Sequence, residues 1–162
     1  MFRLTALFII LHVGFVFAQD GSFGSFEVEK DVDAFTDENS SLMVGIGIEN
    51  DNAAFVFRCN SDSETGLDVF VVTDEYLGSE GPVKVDYRLD QEPPAFDTNW
   101  NMGTSGRSVF MRDSMQEELK DSFPDHEEVR FRIYDFDGVG HDFLFGLNGF
   151  EEAFEALGCG NL

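Results

Sequence analysis

The chain has 162 residues, with 10 Lys and Arg against 32 Asp and Glu, a formal net charge of −22. A field of that sign repels phosphate backbones and anionic headgroups, so nucleic-acid and anionic-membrane binding are both disfavoured. The acidic residues are dispersed among apolar ones, which argues for a solvated folded surface and against a disordered tail.

The N-terminus reads as an export signal. Arg3 supplies one positive charge, residues 4–17 form an apolar run interrupted by Thr5, His12 and Gly14, and Val16 and Ala18 occupy the cleavage positions. Cleavage is expected between Ala18 and Gln19, leaving residues 19–162 as a single domain large enough to bury its own core. The run is shorter than the roughly 20 apolar residues that a bilayer-spanning helix needs. Gln19, Asp20, Gly21 and Ser22 after it read as wet and flexible, and no second apolar run follows, so no membrane span is expected after cleavage. Loss of Arg3 with the signal leaves 9 cations against 32 anions, a net charge of −23. Adaptation to salty surroundings accounts for such acidity, because a Debye length of roughly 3 Å at 1 M salt screens self-repulsion. A cation-binding or basic-partner surface is the other account.

Period-two alternation dominates the middle of the chain. Leu42, Val44, Ile46 and Ile48 alternate with Met43, Gly45 and Gly47, and Asn50-Asp51-Asn52 turns the chain into a second strand over Ala53–Cys59. Phe55, Phe57 and Cys59 then share one face. Another strand covers Leu67–Thr73, and Val83, Val85, Tyr87 and Leu89 alternate with Lys84, Asp86, Arg88 and Asp90 in a strand that is half buried and half wet. Thr98, Trp100 and Met102 suggest a short strand after Pro93-Pro94; Val129, Phe131 and Ile133 alternate with Arg130 and Arg132; Phe143 and Phe145 complete the set.

Two segments break this pattern. Residues 113–123 place Met115, Leu119 and Phe123 at spacing four before Pro124, which predicts a helix. Phe150, Ala153, Phe154 and Leu157 fall at i, i+3, i+4 and i+7, with Asn148 as a candidate cap and Gly158 as the stop. The expected fold is mainly β: an antiparallel β-sandwich with one or two short helices, the C-terminal one packed on the sheet. The 19 Phe residues are assigned by alternation mostly to its core.

Cys59 and Cys159 are the only cysteines, and an exported chain meets an oxidising compartment, so one disulfide between them is expected. It would pin the terminal helix across the sheet face that carries Phe55 and Phe57. Chemistry is harder to find. Outside the signal only His126 and His141 remain, too few for a histidine-based zinc cage, and both read as solvated loop residues. No Gly-x-Ser-x-Gly occurs, and with so many carboxylates their pairing carries no information about acid-base work. Asp135, Asp137 and Asp142, in a loop containing Gly138 and Gly140, are the candidates for calcium. Their spacing is not that of an EF-hand, and a hairpin turn rich in Asp and Gly is the preferred reading, with no cofactor expected.

A family resemblance joins these pieces. Asp33-Ala34-Phe35-Thr36-Asp37, Phe57-Arg58-Cys59, Val69-Phe70-Val71, Tyr87-Arg88-Leu89-Asp90 and Trp100, followed by Phe143-Leu144-Phe145-Gly146-Leu147 and a final cysteine, resemble the VasI (TagO) family of type VI secretion-associated proteins. The chain departs from that pattern at Ala34-Phe35, where Pro-Met is usual, and at Gly160, where Trp commonly follows the cysteine. The resemblance implies a small exported accessory protein of Gram-negative bacteria, periplasmic or secreted, encoded in some cases with secretion machinery. It supports the Cys59–Cys159 pairing and carries no catalytic residues. The expected role is therefore non-enzymatic interaction with an envelope or secreted protein. The alternatives are a calcium-dependent ligand or adhesion module and a cell-envelope hydrolase.

Overall fold

The computed structural model describes residues 20–49 and 52–159. The expected cleavage site at Ala18 and Gln19, and Asn50 and Asp51 of the expected turn, lie outside the described residues. Ten strands follow one another as β1 (Gly21–Phe23), β2 (Phe26–Glu29), β3 (Leu42–Ile46), β4 (Ala53–Cys59), β5 (Leu67–Thr73), β6 (Pro82–Leu89), β7 (Ala95–Met102), β8 (Ser108–Phe110), β9 (Glu128–Tyr134) and β10 (Gly140–Gly146). Helix α1 (Asp113–Ser122) precedes β9, and α2 (Phe150–Leu157) ends the fold. No helix of the described residues is long and apolar enough to cross a membrane.

All strand pairs are antiparallel, and they form one sheet in the order β1-β2-β3-β4-β5-β8-β7-β6-β9-β10. That sheet folds over on itself as a sandwich. The Phe55 ring of β4 lies 5.2 Å from Phe131 of β9 and 5.5 Å from Phe145 of β10, so the two halves meet through aromatic rings. After Ile46 the chain leaves the β3 ladder. Gly47 bridges Phe145, and the Ile48 N–H donates to the Leu144 carbonyl at 2.8 Å, which ties β3 to the far edge of the sheet.

Two expectations about local structure change, and the facing of β3, which alternation left open, is settled. Gly21 and Ser22, read as wet and flexible, belong to strand β1, which is hairpinned onto β2 with Phe23 opposite Phe26. In β3 the residues facing the core are Met43 and Gly45; Leu42 and Val44 are half-buried on the outer face, and Ile46 and Ile48 are exposed. Both faces of this strand are apolar, so alternation alone could not orient it. The deciding contact is Phe26, the register partner of Gly45, whose ring passes so close that a Cβ at residue 45 would meet it at 2.9 Å. In α2 the N-cap is Gly149 and not Asn148, with φ 79° and no side-chain cap bond. A Cβ at residue 149 would lie 2.6 Å from the Phe23 carbonyl oxygen, so glycine is required there by both conformation and space.

The two expected helices and the expected disulfide are present. Helix α1 runs over Asp113–Ser122 and buries Leu119, and a 3-10 turn at Phe123–Asp125 then sinks Phe123 into the core. Helix α2 buries Phe150, Ala153 and Leu157 and stops at Gly158 in the left-handed conformation. Cys59 and Cys159 are joined by a disulfide spanning a sequence separation of 100. The helix it anchors packs as expected, with the Phe150 ring 5.4 Å from Phe57 and 5.7 Å from Phe26. Side chains satisfy the carbonyls at its end: Lys30 Nζ donates to Leu157 at 2.8 Å and Asn39 Nδ2 to Gly158 at 3.0 Å.

Candidate functional site

Each candidate residue can be placed. Asp135 starts the β9–β10 turn, and its Oδ1 accepts the backbone N–H groups of Asp137 and Val139, each at 2.9 Å. Its Oδ2 lies 2.9 Å from His141 Nε2. The His141 contact and the two amides hold this carboxyl below its ordinary range. Asp142 points elsewhere, into a two-pronged pair with Arg132 at 2.6 and 2.7 Å. Asp135, Asp137 and Asp142 therefore do not converge, and among the described residues no group of three His, Cys, Asp or Glu is placed to hold a metal. The segment is a capped turn, stabilised by its first aspartate.

Neither histidine side chain is free in solvent, although His126 does lie in a loop as expected. His141 lies in β10 and His126 follows the 3-10 turn; their side chains are 26% and 15% exposed, and each faces an aspartate at 2.9 Å. The partner of His126 is Asp90, which sits beyond the end of β6 at φ 43° instead of on its wet face. Asp90 Oδ1 accepts the N–H groups of Glu127 at 3.0 Å and Glu128 at 2.9 Å. Burial pushes the Asp90 carboxyl up, but the Glu128 amide, the His126 ring and the Glu127 amide together outweigh it and hold it below its usual range. Both Asp–His pairs thus fasten the two ends of β9.

Between those ends lies a surface of different character. Antiparallel register sets Asp86, Arg132 and Asp142 in one row across β6, β9 and β10, and Arg88 and Arg130 in the next. Tyr134 donates its hydroxyl to Asp86 at 2.9 Å, and the Lys84 ammonium stands 4.4 Å from the centre of the Tyr134 ring. Four of the 10 Lys and Arg of this acidic chain meet here: Lys84, Arg88, Arg130 and Arg132. A shallow cleft of about 200 Å³ opens among Arg88, Arg130 and Arg132, walled by Pro94 and by Phe96, whose side chain is exposed.

The three guanidinium groups are not equivalent. Arg130 grips Glu49 through two bonds of 2.9 and 3.0 Å, and Arg132 grips Asp142. These forks raise both arginines and lower both carboxyls from their ordinary values; in Asp142 the Arg132 fork prevails over burial. Among the described residues Arg88 has no carboxylate partner. Its Nη2 donates to the Gln91 amide oxygen at 2.9 Å, and its Nε is sealed from solvent without a partner. A buried donor left unpaired costs about 1–3 kcal/mol.

Alternation placed Arg88, Arg130 and Arg132 on a wet face, and they lie there. The roles of Gln91, Pro94 and Phe96 were missed. The available signal was Pro93-Pro94 followed by an aromatic residue, next to two strands with arginines at alternate positions.

No family model, curated protein or solved structure matches the chain.

Proposed function

We propose that the protein is an exported, non-catalytic interaction module of the bacterial cell envelope, of the kind its resemblance to the VasI (TagO) family implies. Association with type VI secretion is part of that reading, as is removal of residues 1–18 on export. The observation that carries it is the arginine cleft: in a chain of charge −22, cations gather around an exposed phenylalanine on the outer sheet face. Interfaces draw on this combination, because Arg and Phe are enriched where partners desolvate a patch. The non-catalytic part is supported by the histidines, whose aspartate partners serve to fasten turns.

Affinity capture from envelope extract with the oxidised mature protein tests this reading. Wild type is expected to recover a specific partner, and Phe96→Ser, a change at a side chain outside the core, to lose most of it. Recovery of the same partner by both forms would move the interface elsewhere, and recovery of none would remove the interaction reading.

A further inference from the structure

We propose that the cleft is a subsite for a carboxylate carried on an apolar or aromatic group, with Arg88 taking the anion and Phe96 covering the rest of the ligand. This deepens the interaction reading above and rests on it for the choice of face.

Three guanidinium groups lie side by side on one sheet face, and two of them already show what they bind there: a carboxylate held by both prongs. Arg88, the register partner of Arg130, has the same planar fork with only a neutral amide oxygen against it. A guanidinium is always charged and its fork matches a planar two-oxygen anion, so a carboxylate ligand completes the pattern that Glu49 and Asp142 begin. Displacing the Gln91 amide exchanges a neutral acceptor for a charged one, which forms the stronger bond.

The surroundings select among anions. Phosphate also fits a guanidinium fork, but it carries more than one negative charge at neutral pH, and Asp86 and Asp142 border the cleft within a strongly acidic molecule. A single charge meets less repulsion. The walls contribute Pro94 and Phe96, which contact an apolar or aromatic group beside the carboxylate, and a volume of about 200 Å³ holds one residue-sized group. Two sources share this chemistry: a small acylated amino acid and the free C-terminus of a peptide ending in an apolar residue.

The full mature protein, titrated by calorimetry and by backbone amide NMR, tests the assignment. The probes are N-acetyl-phenylalanine, its amide, inorganic phosphate, and a pentapeptide ending in Phe with either a free or an amidated C-terminus. N-acetyl-phenylalanine is expected to bind saturably and to shift resonances around Arg88 and Phe96. The amides and phosphate should bind at least about tenfold more weakly, since they lack the single planar anion. Arg88→Gln should weaken acid binding by a similar factor and Phe96→Ser by about threefold, in keeping with partial loss of apolar contact. Tighter binding of the free-ended peptide than of the small acid identifies a chain terminus as the source; the reverse order identifies a small molecule. Equal binding of acid and amide, binding of phosphate as tight as that of the acid, or undiminished acid binding by Arg88→Gln overturns the proposal. If Arg88→Gln fails to fold, the acid-to-amide ratio and Phe96→Ser still decide. Absence of acid binding, with capture of an envelope partner by wild type and not by Phe96→Ser, removes the carboxylate assignment and leaves the interaction reading intact.

Discussion

The outer faces of the two halves of the sheet are built from the same kind of ladder and filled with opposite chemistry. Across β3, β4, β5 and β8 one row reads Val44, Val56, Phe70 and Phe110; across β6, β9 and β10 the corresponding kind of row reads Asp86, Arg132 and Asp142. The first row seals itself. Phe70 stacks on Phe110 at 4.7 Å, the Arg58 guanidinium covers the Phe70 ring at 5.6 Å while pairing with Asp68, and Val56 is only 6% exposed although it faces outward. The second row stays open, and its charges hold one another in place while leaving a cleft. One half of the sheet closes its outer face with packed side chains; the other leaves its outer face open around a cleft.

That contrast sits on a frame that both halves share, so the largest effect should come from the frame. Replacing Cys59 and Cys159 together by Ser is expected to cost about 4–5 kcal/mol, the chain-entropy value for a loop of roughly 100 residues. Urea denaturation of the oxidised protein and the double variant measures it. A loss below about 1 kcal/mol would mean that packing of Phe150 on Phe26 and Phe57 already positions α2. The next test addresses the contrast directly. Phe70→Ala on the closed face should cost about 2 kcal/mol, less than a fully buried phenylalanine because Phe70 is only half-buried. Arg132→Gln on the open face should cost about 1 kcal/mol or less, as exposed ion pairs do. Equal losses would erase the distinction between the faces.

Much of this frame was legible before the fold was seen, for identifiable reasons. Strands β4 and β5 were read at their full extents because turn residues bound each of them, and α2 because its apolar positions repeat at helical spacing. Strands β1, β2 and β8 were missed: three or four residues carry too little periodicity, and β8 exists because Val109 and Phe110 find partners in both β5 and β7. The inward face of β3 depended on the fit of Phe26 over Gly45, a contact between strands that no local pattern encodes. The cleft was least legible. Alternation could declare Arg88, Arg130 and Arg132 wet, but their convergence on Phe96 follows from the pairing of β6 with both β7 and β9, and the turn after β6 determines that Gln91 meets Arg88 in place of a carboxylate.

The smallest effect concerns how the open face keeps its order. The Arg132 fork lowers the folded-state pKa of Asp142 against the opposing pull of burial. A carboxylate with a depressed folded pKa contributes its stability above the unfolded value of about 3.9, and that contribution is lost as pH falls through the folded value. Wild type should therefore exceed Asp142→Asn in stability by about 0.5–1 kcal/mol near pH 7, the scale of a partly exposed pair. The difference should hold down to about pH 5 and shrink below about pH 4. Taking the difference between two proteins matters in a chain this acidic, because protonation of its many other carboxylates relieves general repulsion in both and largely cancels. Denaturant midpoints at pH 7, 5, 4 and 3 measure the trend, and 1 M salt should compress it. A difference that grew on acidification would mean that the charge of Asp142 burdens the fold, and that Arg132, freed of it, stands ready to bind an anion as Arg88 does.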